Sequence, residues 1–405
     1  MANRKNSRKP KNQLLAAASP IRHMGGADMR QVATLLVFSV AALVALGMVM
    51  LYSASMSDQG MRMMVKQAQW LGLGMIVCTT AALVDYRILR RYSWAIIAIA
   101  VVLLALVLVP GIGYKIGGAR RWFKLGGVSF QPSELAKIAL LVWTAFYCEW
   151  QSRNIKSFRH GVLIPWSVLG LVLCLILVEP DRGTFILMSA VCAGVLFVGG
   201  VRAHYLALPV LVGAIGIAYL LWVDPVRMAR IMSWLNPEDF KTTTGYQNWQ
   251  AMIALGSGGV AGVGLGDGRQ KLGFVPEHHT DFIFSVIGEE LGLVATLSVL
   301  IGFMFITMCG MMIAWKARDR FGYYLATGIT LLIGTQAVIN IGVVTSALPN
   351  KGMSLPFISY GGSNLLAMLA MVGILISIAR KATDEVIVHD DESADTVFMA
   401  TPETQ

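Results

Sequence analysis

Charge is the first thing this sequence lacks. Asp, Glu, Lys and Arg together make up 14% of its 405 residues, against roughly a quarter in soluble domains. So little charge cannot cover a water-facing surface of this size, which excludes a soluble enzyme and a disordered protein. Patterned cysteine is lacking too. Cys78, Cys148, Cys174, Cys192 and Cys309 lie within or at the ends of apolar stretches and form no CxxC pair, so a disulfide scaffold and a zinc site are excluded. A dinucleotide fingerprint is missing as well. The glycines from Gly256 to Gly268 follow no strand pattern, and Asp267 stands where the third glycine of GxGxxG belongs. No internal repeat is visible.

Apolar residues, by contrast, reach 56%, and they fall in runs of about 20, the length that crosses a bilayer as a helix. Ten such stretches are expected: 32–53, 64–84, 93–110, 134–148, 161–178, 183–201, 204–223, 284–314, 321–348 and 363–379. The second is the weakest, interrupted by Lys66 and Gln69. The first begins too far along and runs too long for a signal peptide, and no small-residue cleavage site follows it. The expected fold class is an all-α integral membrane protein of ten transmembrane helices with one large extracytoplasmic loop, 224–280. The expected domains are a basic cytoplasmic arm, 1–31, the ten-span membrane domain, 32–380, and an acidic, disordered cytoplasmic tail, 381–405.

An even number of spans puts both termini on one side. With the N-terminus in the cytoplasm, inner segments carry 19 Lys and Arg and outer ones 14, and the short inner loops are dense in them, as the positive-inside rule requires. The net charge of +10 therefore reads as topology and lipid headgroup contact. No basic stripe with interleaved aromatics points to nucleic acid. Two outer stretches, 110–137 and 224–280, hold five basic residues each. An anionic substrate on the outer face accounts for them; so does the indifference of long translocated loops to the rule.

Chemistry-bearing residues gather in four places. PEHHTDFIF (276–284) ends the large loop where the eighth span begins. Asp281 there is an ionisable group at the mouth of a membrane helix, where partial desolvation raises a carboxyl toward the range of a general base. A helix N-cap is the plainer role for the same residue. Glu289 lies about 12 Å further along a straight helix, too far for the close carboxylate pair of a retaining glycosidase. The adjacent His278 and His279 lack a third ligand at a diagnostic spacing, so no metal site is assigned.

GGARRWFKLGGVSFQPSELAKIAL (117–140) sets Arg120, Arg121 and Lys124 around Trp122, and Arg suits phosphate oxygens with two parallel bonds. Gln131, Ser133, Glu134 and Lys137 follow, the last two spaced for an (i, i+3) ion pair. EPDRGTF (179–185) is a short outer turn. LPNKGMSLPFISYGGSN (348–364) joins the last two spans, with Pro and Gly that make it a turn rather than a helix. Lys351 and Ser363 there face either a polar ligand or only their own turn. Within 224–280, the segment beginning DPVRMARIMSWL suits an amphipathic helix at the headgroup boundary. The glycine run after it permits irregular backbone of the kind that lines a cavity at membrane depth, or serves as a linker.

Six motifs in one order, GARRW…FQPSELAK, PDRGT, GYQNWQ, GSGG, QKLGFVPEHHTDFIF with Glu289–Glu290, and LPFISYGGSN, resemble the SEDS proteins (shape, elongation, division, sporulation) over about 32–380. NIGVVTSALP and the Lys351–Gly352 pair resemble the division branch of that family more than the elongation branch. The resemblance implies a peptidoglycan glycosyltransferase that polymerises lipid II into glycan strands outside the inner membrane, at the septum in the division branch. It implies a class B penicillin-binding protein as partner, alongside other divisome membrane proteins, and a catalytic carboxylate at Asp281.

The residues fit that chemistry. A lipid-linked diphosphate sugar needs apolar spans, cations for the diphosphate (Arg120, Arg121, Lys124, with Lys137) and aromatics for the sugar (Trp234, Tyr246, Trp249). Inversion at an α-linked diphosphate needs one base, here Asp281. Gln131, Glu134, Tyr246, Gln247, Lys271, Glu277, His278, Lys351 and Ser363 are the further candidates for substrate contact. No cofactor is required, though a divalent cation is compatible with the diphosphate. A lipid II flippase and a non-catalytic scaffold for the transpeptidase are the alternative readings.

Overall fold

The computed structural model describes residues 26–55, 61–116, 119–125, 128–223, 225–269, 271 and 279–398. Most of the basic arm, together with the candidates Glu277 and His278, lies outside the described residues. Each of the ten expected stretches is occupied by a helix: α1 (Gly26–Ser55), α2 (Met61–Leu83), α4 (Ser93–Leu108), α5 (Pro132–Trp150), α6 (Ile164–Val178), α7 (Arg182–Val198), α8 (Ala203–Val223), α11 (Ile283–Trp315), α12 (Arg320–Val344) and α13 (Gly362–Phe398). A short α3 (Arg87–Arg91) turns the chain between α2 and α4. Among the described residues, five helices are long and apolar enough to cross a membrane: Met29–Ser55, Arg159–Val178, Ile283–Trp315, Arg320–Val344 and Gly362–Thr383. α13 runs on to Phe398. Extending a formed helix adds one hydrogen bond per residue fixed, whereas starting one is unfavourable.

The helices sort by what surrounds them. α5 is the central helix, with nearly every residue buried, Glu134, Lys137 and Thr144 included. α8 is the opposite, exposing Leu208, Val210, Leu211, Val212, Ile215, Tyr219 and Trp222. A water-soluble protein does not leave so large an apolar face bare. In α2, Lys66 and Gln69 are exposed while Gln67 is buried. Gln67 Nε2 donates to the Ser359 carbonyl at 3.4 Å, and its Oε1 accepts from Gly361 N–H at 3.3 Å. Gln67, not the two residues that interrupt the apolar run, thus ties the second span to the turn before α13.

Two features add to the expected bundle of spans. The first is a three-stranded antiparallel sheet, β1 (Tyr114–Ile116), β2 (Ala119–Leu125) and β3 (Val128–Phe130), in sequence order. Lys115 pairs with Arg120, and Phe123 with Phe130. Aromatic and β-branched residues favour strands, and the glycine pairs 117–118 and 126–127 separate them. The second is a large loop that is itself partly helical: α9 (Pro225–Leu235) stands where the amphipathic helix was expected, and α10 (Tyr246–Gly258) adds a helix that was not.

The glycine run has a structural task. α11 is broken at Gly292, whose φ of +75° is left-handed and open to glycine without strain. The break frees the carbonyls of Glu289 and Glu290, which accept from Val263 and Gly264 N–H at 3.0 Å each. A side chain on Gly292 would strike Gly262 N at 2.4 Å. The run lies backbone against backbone on the broken helix, where the unpaired groups of each satisfy the other.

Candidate functional site

A cavity of about 370 Å³ opens where the ends of several helices meet β2. Its lining includes Arg121 and Trp122 of β2, Gln131, Glu134 and Lys137 at the start of α5, Asp181 and Thr184 at the start of α7, Gln336 of α12, Gly352–Ser354 and Tyr360–Asn364 around the last turn, Trp70 of α2, and Thr280 and Asp281 just before α11. Four chain segments far apart in sequence therefore supply its charges.

Asp281 is held by its backbone. Asn340, fully buried on α12, donates through Nδ2 to the Asp281 carbonyl at 2.8 Å and to the Met353 carbonyl at 2.5 Å. One turn earlier, Gln336 Nε2 donates to the Ser354 carbonyl at 2.9 Å. Two amides four residues apart share a helix face, so α12 grips the consecutive carbonyls of Met353 and Ser354. Ser359 Oγ donates to the Thr280 carbonyl at 2.6 Å, and Tyr360 N–H to that of His279 at 3.0 Å. The carboxylate lies so close to Gly352 that a methyl there would fall 2.5 Å from Oδ2. The N-cap of α11 is Phe282, and Asp281 immediately precedes it.

The cations sit opposite. Lys137 Nζ lies 2.7 Å from Glu134 Oε2, in the (i, i+3) pairing expected, and donates to Gln336 Oε1 at 3.3 Å. An ammonium has three donors, so one remains for the cavity. Arg121 donates through Nε to the Glu179 carbonyl at 2.7 Å and through Nη2 to that of Pro180 at 2.8 Å. It thereby braces the turn that leads into α7, and a guanidinium's remaining donors stay available. Asp181 caps α7, accepting from Thr184 N–H at 3.1 Å, and also accepts from Gln131 Nε2 at 3.3 Å.

Two groups beside this rim are displaced from their ordinary ionisation. The Glu179 carboxyl is fully buried and, among the described residues, without a hydrogen-bond partner. Burial, and next the charge of Asp181, push it up to about 8 against the pull of Arg121. Burial pushes the Lys351 ammonium down to about 8, partly offset by Asp181. Both are therefore poised near neutrality.

Of the expected site residues, Arg121, Gln131, Glu134, Lys137, Asp281 and Ser363 share the cavity. Others do not. Arg120 lies outside the lining, and Lys124 sits 3.5 Å over the ring of Tyr114. Lys351 adjoins the lining at Gly352 without being part of it. Tyr246 and Gln247 begin α10 away from the cavity, and Gln247 Oε1 accepts from Asn350 at 3.2 Å. Lys271 is the clearest correction. It is buried in an ion pair with Glu290 at 2.6 Å, donating also to Ser53 Oγ at 2.9 Å and the Gly266 carbonyl at 2.8 Å. Its charge serves the loop, since a buried carboxylate requires a partner. The aromatics expected for a sugar are elsewhere too: Trp234 donates to the Ser346 carbonyl at 2.9 Å, and neither it, Tyr246 nor Trp249 lines the cavity.

Trp70, Gln336, Asn340 and Asn364 were not singled out from sequence. Gln336 and Asn340 left a signal, two amides at (i, i+4) in an otherwise apolar helix. Among the described residues, no cluster of three or more His, Cys, Asp or Glu is arranged to hold a metal ion.

A largely helical protein with helices long and apolar enough to cross a membrane thus gathers a carboxylate, cations and aromatics around one cavity at its helix ends. Residues 33–384 match the FtsW/RodA/SpoVE family profile, described as cell cycle protein, and the chain belongs to that family. It is 40% identical over 346 residues to the probable peptidoglycan glycosyltransferase FtsW of Geobacter metallireducens, covering 84% of this chain and 92% of that one. It is 38% identical over 353 residues to stage V sporulation protein E of Bacillus subtilis, covering 85% and 96%. Among solved structures, it resembles a chain of a peptidoglycan synthase complex that coordinates polymerization and crosslinking, with TM-score 0.74, 30% identity and coverage of 86% and 97%. It also resembles the rod shape determining protein RodA of Thermus thermophilus, with TM-score 0.64, 30% identity and coverage of 85% and 95%.

Proposed function

We infer that this protein is a peptidoglycan glycosyltransferase that polymerises lipid II into glycan strands during septal wall synthesis. The observation that carries the reading is the meeting of Asp281 with Arg121 and Lys137 around one cavity. The step is an inverting displacement. Asp281 takes the proton of the acceptor sugar's 4-hydroxyl, the hydroxyl oxygen bonds to the donor's anomeric carbon, and the bond from that carbon to the diphosphate breaks. The departing negative charge is met by the free donors of Lys137 and Arg121. The Asn340 grip fixes the base before substrate arrives, which is where positioning contributes to rate.

The ten helices cross the inner membrane with both termini in the cytoplasm, and the cavity faces outward. A class B penicillin-binding protein crosslinks the strands made here; the similarity to a synthase complex supports that partner. Other divisome membrane proteins bring the pair to the septum. A flippase needs a route open alternately to both faces, whereas these charged groups gather at one end of the bundle.

The test is polymerisation of lipid II by the purified full chain with its transpeptidase partner. Asp281→Asn keeps the shape of the side chain and removes the base. It is expected to lower kcat by about 10²- to 10⁴-fold with the protein folded and KM little changed. Full polymer from folded Asp281→Asn protein would overturn the assignment, and lipid II crossing vesicles without polymer would favour transport.

A further inference from the structure

We propose that the indole of Trp70 is the stacking platform for a pyranose ring of the substrate. This deepens the glycosyltransferase reading and rests on it. A methyl carbon built on Gly362 would lie 2.1 Å from Trp70 Cδ1, 2.1 Å from Nε1 and 2.2 Å from Cε2. A point nearly equidistant from three successive ring atoms lies over the face of the five-membered ring, not beyond its edge. The Gly362 backbone therefore covers one face of the indole, and Trp70, half-buried, is among the residues that line the cavity. No side chain larger than hydrogen at position 362 permits this approach.

The surroundings fit a sugar. Ser363 and Asn364, the next two residues of α13, line the same cavity with a hydroxyl and an amide, which are the partners a ring hydroxyl needs. Trp122 lines it from β2, and Asp281 from before α11. In gluco-configured sugars the hydroxyls are equatorial, so each ring face presents axial C–H groups. These are an apolar match for the electron-rich face of an indole, and ligand sites pair such aromatic walls with a few placed polar groups. The aromatic requirement that sequence assigned to the large outer loop is thus met by a residue of α2.

The variants separate stacking from bulk. Trp70→Leu keeps apolar volume without a π face, and Trp70→Phe keeps the face. Polymerisation of lipid II in proteoliposomes is expected to show KM raised about tenfold by Leu, the scale of one aromatic contact, with a smaller effect on kcat. Phe should return KM to within about threefold of the parent. Leu and Phe variants with equal KM would overturn the platform. A measurement on the unsubstituted protein guards against misfolding: saturation-transfer NMR with the soluble GlcNAc–MurNAc disaccharide. The axial ring protons are expected to receive the strongest saturation, and a signal confined to the acetyl and lactyl groups would overturn the proposal. Failure here with Asp281→Asn still inactive removes only the platform. Absence of polymer from the unsubstituted protein with its partner removes the reading beneath it.

Discussion

At the scale of single residues, the site's most sensitive feature is the pair of groups that titrate together beside Asp181. As pH rises through about 8, Glu179 gains a negative charge and Lys351 loses a positive one. The rim therefore becomes more negative by about two charges across that interval. An anionic diphosphate meets a less favourable field above it, so polymerisation is expected to fall on the alkaline side of pH 8. Lys351→Arg holds its charge to a far higher pH, and together with Glu179→Gln it should move that limb upward. An alkaline limb unchanged in the double variant would show that neither group governs it. Stability follows the same proton count. Native Glu179 keeps its proton between its ordinary 4.5 and about 8, so its contribution declines as pH rises through that window. Native Lys351 is neutral from about 8 up to its ordinary 10.5, so its contribution grows as pH rises there.

At the scale of elements, the broken α11 and the glycine run depend on a buried network. Glu290 is bridged to Lys271 at 2.6 Å, to Ser53 Oγ at 2.7 Å, and to Gly266 N–H at 3.1 Å, which links α1, α11 and the loop. Lys271→Met leaves the carboxylate buried without its counter-ion and is expected to destabilise the fold by about 3–5 kcal/mol. The further change Glu290→Gln keeps a hydrogen-bonding side chain and removes the stranded charge, so it should recover most of that loss. Thermal unfolding in detergent reads both, and a single variant as stable as the parent would show the network to be dispensable. The same elements show what sequence could reveal. Hydropathy marks each helix because every one must carry its own apolar length, and the Glu134–Lys137 pair is legible because it is local. Lys271 looked like a ligand because its partners, Ser53 and Glu290, stand 218 and 19 residues away. Trp70 looked like an ordinary residue of a weak span, since its place on Gly362 comes from the packing of α2 on α13. The sheet was hidden inside a charged stretch only seven residues long at its central strand.

At the scale of the whole molecule, the two ends of the bundle differ in chemistry. α5 starts at the cavity and finishes at Glu149, which pairs with Arg90 at 2.9 Å. α12 is capped by Asp319, paired with Arg87 at 3.2 Å, reaches the cavity at Gln336, and holds the Asp281 carbonyl through Asn340. From Arg320 to Gln336 a helix rises about 24 Å, so basic loops and cavity are separated by most of a bilayer's hydrocarbon thickness. In the topology proposed above, the basic loops lie in the cytoplasm by the positive-inside rule, and Asp281 and the sheet then lie at the outer face, where a glycan strand has to emerge. Single cysteines test this directly. Lys115→Cys on exposed β1 is expected to react with a membrane-impermeant maleimide in intact spheroplasts, and Lys156→Cys only after permeabilisation. Of the native cysteines, Cys174 alone is exposed, and it lies within α6, where an aqueous reagent does not reach it in the bilayer. Labelling in the reverse order would turn the cavity toward the cytoplasm and remove the basis for polymerisation at the outer face.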